Sequence, residues 1–124
     1  MIENSEFSII CDILSFNIIY NPDGLNDFET MFIWDFLIDI FQNATYLNKN
    51  KIIQVLSQLS KEEYYIDIEY IILDLNFFNI LELFLDENND LYSIYYTFDL
   101  LLYFSLNLNE ISFRNKKKRD KCYR

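Results

Sequence analysis

The sequence has no histidine, one glycine, one proline, one alanine and two cysteines in its 124 residues. Without histidine there is no Ser-His or Cys-His pair to activate a nucleophile, and the commonest metal ligand is missing. A single glycine cannot build a loop that cradles phosphate. Cys11 and Cys122 lie near opposite ends with no Cys-x-x-Cys spacing, so neither zinc nor a cofactor is expected, and a buried thiol plus an exposed tail thiol is the simplest reading. Glu3 and Glu6 stand where a secretory signal would be basic, and no small-residue cleavage site follows. The expected location is therefore intracellular, in cytoplasm and nucleus. Asn43-Ala44-Thr45 matches a glycosylation sequon but lies inside a helical pattern, where chance accounts for it. Asn, Ile, Tyr, Phe and Lys abound instead of Ala and Gly; all five have AT-rich codons, so any family motif should be degraded.

What is present is apolar and acidic. Hydrophobic residues make up 52% of the chain, enough for one domain with a real core. Residues 113–124 hold seven Lys or Arg and one acid; residues 1–112 hold three basic residues against nineteen acidic ones, a net charge of −16. A polyanionic body with a basic tail repels nucleic acid and anionic lipid and attracts basic peptides or proteins. The organisation expected is a helical domain over 1–112 followed by a flexible tail at 113–124. Lys116, Lys117, Lys118 and Arg119 in that tail resemble a short nuclear localisation signal, although a solubilising tail explains them as well.

Phe7, Ile9, Ile10, Ile13 and Leu14 predict a first helix ending before the turn Asn21-Pro22-Asp23-Gly24. Asn26 or Asp27 then caps a helix carrying Phe28, Met31, Phe32, Phe36, Leu37, Ile40 and Phe41 at helical spacing, widened by Ile33, Trp34 and Ile38. Only Asp35, Asp39 and Gln42 remain as a polar line, so this helix should be the inner one of a stack. Ile52, Ile53, Val55, Leu56 and Leu59 predict a third helix, stopped near Ser60-Lys61. Residues 64–73 fit a half-buried strand and a helix equally; helix is the expectation, because a lone strand would lack a partner. A short helix at 77–85 and a long, nearly all-apolar one at 91–107 follow. Asp99 argues against a membrane span there, since the apolar run from Leu100 to Phe104 is far shorter than the roughly 20 residues required.

Phe7-Ser8-Ile9-Ile10-Cys11-Asp12-Ile13-Leu14 parallels Phe78-Asn79-Ile80-Leu81-Glu82-Leu83-Phe84-Leu85, and each octet is followed by a polar loop and a long helix ending in Asn43 or Asn107. Two units, at about 6–47 and 62–109, would each leave an apolar face for a neighbour to cover. This order of short helix, loop and long helix resembles the armadillo repeat, most closely that of the importin alpha family. The resemblance implies an all-α, armadillo-like α-solenoid fragment; a compact irregular helical bundle is the alternative. It also implies a groove in which Asn43 and Asn107, with Asp35, Asp39 and Tyr103 beside them, bind an extended basic peptide. The Trp of the family's Trp-x-x-x-Asn motif is Asp39 in one unit and Tyr103 in the other, and the Gly that precedes the family's second helix is Asn76.

Paired carboxylates such as Asp35 with Asp39 or Glu62 with Glu63 suit solvated helix faces better than acid-base catalysis, and Asp86-Glu87-Asn88-Asn89-Asp90 lacks the glycine and closing glutamate of a calcium loop. An enzyme is not expected. The functional expectation is an adaptor for basic localisation signals. Its rival is a small acidic immunity or inhibitor protein that neutralises a basic toxin by charge complementarity.

Overall fold

Asn26 opens a helix with a reciprocal cap: its side chain accepts from the Glu29 N–H at 2.8 Å, and the Glu29 carboxylate accepts from the Asn26 N–H at 3.4 Å. Thr45 caps the next helix by accepting from the Asn48 N–H at 3.3 Å. The computed structural model describes the backbone of residues 4–62, 64–87 and 90–122, and the side chains of residues 6–62, 64–87 and 90–108. Among these residues there are five α-helices and no strand: α1 Asn4–Tyr20, α2 Asp27–Phe41, α3 Tyr46–Ser60, α4 Phe77–Glu87 and α5 Leu91–Cys122. The chain is all-α.

The helices gather round α3. Its main contacts are with α1 and α5, α2 packs on it as well, and α4 lies on α5. Beyond Leu47 no residue of α3 is exposed, and Ile52, Ile53, Val55, Leu56 and Leu59 are fully buried. The inner helix is thus α3, not α2 as the sequence suggested. Small hydroxyl residues line the α3–α5 contact: Ser57, Ser93 and Thr97 are buried, and Thr97 Oγ1 returns its proton to the Ser93 carbonyl at 2.7 Å.

Helix α2 buries Thr30, Trp34, Leu37, Ile38 and Phe41, while Phe28, Phe32 and Phe36 stand 82%, 65% and 39% exposed. The expectation that α2 is buried on most of its circumference is corrected here, and the reason is electrostatic. On a helical wheel Asp35 and Asp39 fall among the three phenylalanines, so burying that row would bury two carboxylates without a cation. The opposite row carries no charge. The aromatic part of the core lies where α2, α4 and α5 meet: Trp34 and Phe77 each pack edge-on against Phe104 at 5.8 and 6.0 Å, and Phe41 meets Phe77 and Phe84 at 6.1 and 5.4 Å. Each such pair adds about 0.5–1.5 kcal/mol beyond its buried area.

The ambiguous stretch adopts neither simple form. Residues 64–67 are irregular, with Ile66 and Ile68 buried and Tyr65 and Asp67 exposed, and the Ile68 N–H turns back to the Ile66 carbonyl at 3.0 Å. No strand pairs with them; instead the Tyr65 N–H donates to Asp27 Oδ1 at 3.0 Å and the Asp67 N–H to Met31 Sδ at 3.3 Å, so side chains of α2 satisfy this backbone. Tyr70–Asp74 then form a π-helical turn in which the Leu75 N–H reaches back to the Tyr70 carbonyl at 3.1 Å. Asn76 follows at φ 55°, in the left-handed region. Asparagine is among the few residues other than glycine that visit this region routinely.

The segment 113–122, expected as a flexible tail, continues α5 as helix to Cys122. No glycine or proline occurs after Gly24 to stop it, and Lys and Arg are good helix formers. The Lys116–Arg119 side chains lie outside the described residues. No helix among the described residues is long and apolar enough to cross a membrane.

Candidate binding surface

Three body cations, Lys49, Lys51 and Lys61, face nineteen acids in residues 1–112, and the fold uses all three. Lys51 pairs with Asp12 at 2.7 Å, joining α3 to α1. Lys61 pairs with Asp99 at 3.1 Å and lies 5.7 Å from the centre of the Tyr95 ring, joining α3 to α5; Ser57 donates to the same Asp99 oxygen at 3.4 Å. Lys49 sits 5.4 Å from the centre of the Phe41 ring. Asp99, singled out in the sequence only as an obstacle to membrane insertion, is therefore a tie between helices. Every other described carboxylate except Glu62 is exposed.

Asp35 and Asp39 share the solvent face of α2, one turn apart, and Phe28, Phe32 and Phe36 run beside them. The Phe32 and Phe36 rings lie 6.3 Å apart and 7° from parallel. One flank is held by the 64–70 segment, where the Tyr70 hydroxyl donates to Asp35 Oδ1 at 3.0 Å; that bond, followed by burial and the Asp35, Asp74 and Asp67 charges, pushes the Tyr70 phenol up. The result is an aromatic ridge set in carboxylates. Sequence reasoning found the two acids and assigned their aromatic neighbours to the core; the signal it missed is that Thr30, Trp34, Leu37, Ile38 and Phe41 already form a complete uncharged face.

The other expected site residues are not part of this surface. Asn43 is exposed in the turn after α2, its N–H on the Ile40 carbonyl at 3.3 Å. Asn107 is half-buried and its Nδ2 donates to the Tyr103 carbonyl at 2.8 Å, within its own helix. Tyr103 is half-buried against Phe104 at 5.5 Å, and burial pushes its phenol up. No described interaction joins Asn43 to Asn107, so the five fall into a pair on α2, Asp35 and Asp39, a pair one turn apart on α5, Tyr103 and Asn107, and Asn43 by itself.

Open cavities lie elsewhere. One of about 500 Å³ is framed by Ser8 of α1, Thr45, Asn48, Lys51 and Gln54 at the head of α3, and Ser93 and Tyr96 of α5. Another of about 520 Å³, between the turn at 22–27 and residues 61–64, carries Asp23, Asp27, Glu62 and Lys61; the Tyr64 hydroxyl closes it by donating to the Pro22 carbonyl. Among the described residues no group of three His, Cys, Asp or Glu could hold a metal ion.

Cys11 is buried on α1, and burial, aided by the Asp12 charge and opposed by Lys51, pushes its thiol from 9.0 to about 11. The folded chain then holds this proton more tightly than the unfolded chain, so stability present below about pH 9 is lost as pH rises toward about 11. The raised Tyr64, Tyr70 and Tyr103 phenols act in the same direction. Urea midpoints measured from pH 8 to 11 should fall, and Cys11→Ala should flatten part of that slope.

Comparison with protein-family models, curated proteins and solved structures finds no significant match to this chain.

Proposed function

We propose that this chain is a protein-binding module that holds a basic peptide or protein on the exposed face of α2. The observation that carries the reading is the ridge of Phe28, Phe32 and Phe36 standing in solvent beside Asp35 and Asp39, in a body whose three cations are engaged by the fold. Lysine or arginine stems would lie on the phenylalanine rings and their charged ends would meet the carboxylates. This arrangement suits neutralisation of a basic partner by charge complementarity, the immunity or inhibitor role, and it assigns no catalytic step.

A labelled Lys-rich peptide, followed by fluorescence anisotropy, should bind and weaken with added salt. Phe32→Ala should cost about 1 kcal/mol of affinity, roughly fivefold, and the double change Asp35→Asn with Asp39→Asn should lower both affinity and its salt dependence. Equal binding of a Glu-substituted peptide sinks the proposal.

The second reading is the importin-alpha-like groove, favoured by the shared exposure of Asp35 and Asp39, with α3 serving as the helix between two armadillo-like units. It would carry localisation-signal cargo on Asn43, Asn107 and Tyr103. Asn107→Ala separates the two: it weakens the peptide in the groove reading and leaves the α2 reading untouched.

A further inference from the structure

Helix α5 carries a second apolar row, on the side opposite its core. Leu91, Tyr95, Phe98, Leu102 and Leu106 are 80%, 57%, 56%, 60% and 61% exposed, while Ser93, Thr97, Leu100 and Phe104 are buried. The row advances by four, three, four and four residues, and Leu91 and Leu102 are eleven apart. An eleven-residue repeat nearly completes whole helical turns, so the row keeps to one face. Unlike the α2 ridge, none of its five positions is acidic. Five exposed apolar side chains in one row on a helix are the kind of surface that marks an interaction site.

We propose that two copies of the chain associate through α5, packed antiparallel about a two-fold axis at Leu102. The spacing of the row is symmetric about that residue: Phe98 of one copy falls opposite Leu106 of the other, and Leu102 falls opposite itself. In sequence the next two positions at the same spacing are Asn109, which falls opposite Tyr95, and Phe113, which falls opposite Leu91. Charge selects both the occupant and the direction. Positions 114–121 carry six Lys or Arg and one Asp, and in the antiparallel pair they reach the partner's α4–α5 turn, where Asp86 and Glu87 are exposed. A parallel pair would set the basic ends together and the acidic turns together. Any partner for this face must offer an apolar row with an acidic end and a basic end in reverse order, and a second copy supplies this by symmetry. At 32 residues α5 is about 48 Å long, which gives both ends reach.

Light scattering coupled to size exclusion should give twice the chain mass at micromolar concentration. Leu102→Glu sets two carboxylates face to face at the axis and should give a monomer with unchanged helical circular dichroism; Leu73→Glu, at another exposed site, should leave the dimer intact. Lys117→Glu with Lys118→Glu should weaken the dimer at least tenfold, and adding Asp86→Lys with Glu87→Lys should restore it. In a Cys122→Ser background a short bis-maleimide should link Leu102→Cys to itself but not Leu91→Cys. A monomeric wild-type chain, a dimeric Leu102→Glu variant, or linkage at both cysteine positions overturns the proposal, the last because it marks a parallel pair.

Discussion

Phe104→Ala is expected to cost about 3–5 kcal/mol, a fall of roughly 10–20 °C in melting temperature. Phe104 is wholly buried and meets Trp34 of α2 and Phe77 of α4, so one truncation removes contacts among three helices. Tyr103 adds a third ring at 5.5 Å, and Phe77 is itself packed on Phe41, so closing the vacated space requires several rings to move together. Against a total stability of about 5–15 kcal/mol, the variant keeps a small margin or none. Tyr92→Ala, on the same helix but 76% exposed and outside the proposed dimer row, should change stability by no more than about 0.5 kcal/mol. Equal losses for the two variants in thermal melts would mean that the faces of α5 have been assigned wrongly.

A charge introduced on α2 should discriminate its two apolar rows even more sharply. Leu37 is wholly buried, and Leu37→Asp would place a carboxylate in the core with no cation near it, a loss of about 4 kcal/mol or more that should leave the chain largely unfolded. Phe32→Asp, on the solvent face, should stay within about 0.5 kcal/mol of the parent stability, while abolishing binding of a basic partner that needs the ring. Circular dichroism and urea titration separate these outcomes. An unfolded Phe32→Asp with a folded Leu37→Asp would reverse the orientation of α2.

Much of the secondary structure was legible in local chemistry. Asn26, one of two candidates, forms the cap, Asn21 to Gly24 make the turn, and α1, α2 and α4 begin and end close to their apolar patterns, whereas α3 starts six residues before its apolar run and α5 extends past its own. At 64–70 local pattern failed because the donors there are satisfied by Asp27 and Met31, about 36 residues earlier in the chain. The binding surface was half legible. Asp35 and Asp39 stood out as charges on an apolar helix, whereas Phe28, Phe32 and Phe36 looked like core because aromatic residues at helical spacing usually are.

The sequence by itself determined that this protein is helical, acidic in its body and basic at its end, because propensity, capping and charge are properties of residues and near neighbours. Only the tertiary structure decided which apolar face turns inward. Helices α2 and α5 each carry two such rows, and periodicity treats both alike. The choice depends on where a neighbouring helix offers an apolar surface, and α3, with Ile52, Ile53, Val55, Leu56 and Leu59 buried around Ser57, offers one to a single row of each. The rows left outside, acidic on α2 and uncharged on α5, are where binding and self-association are proposed.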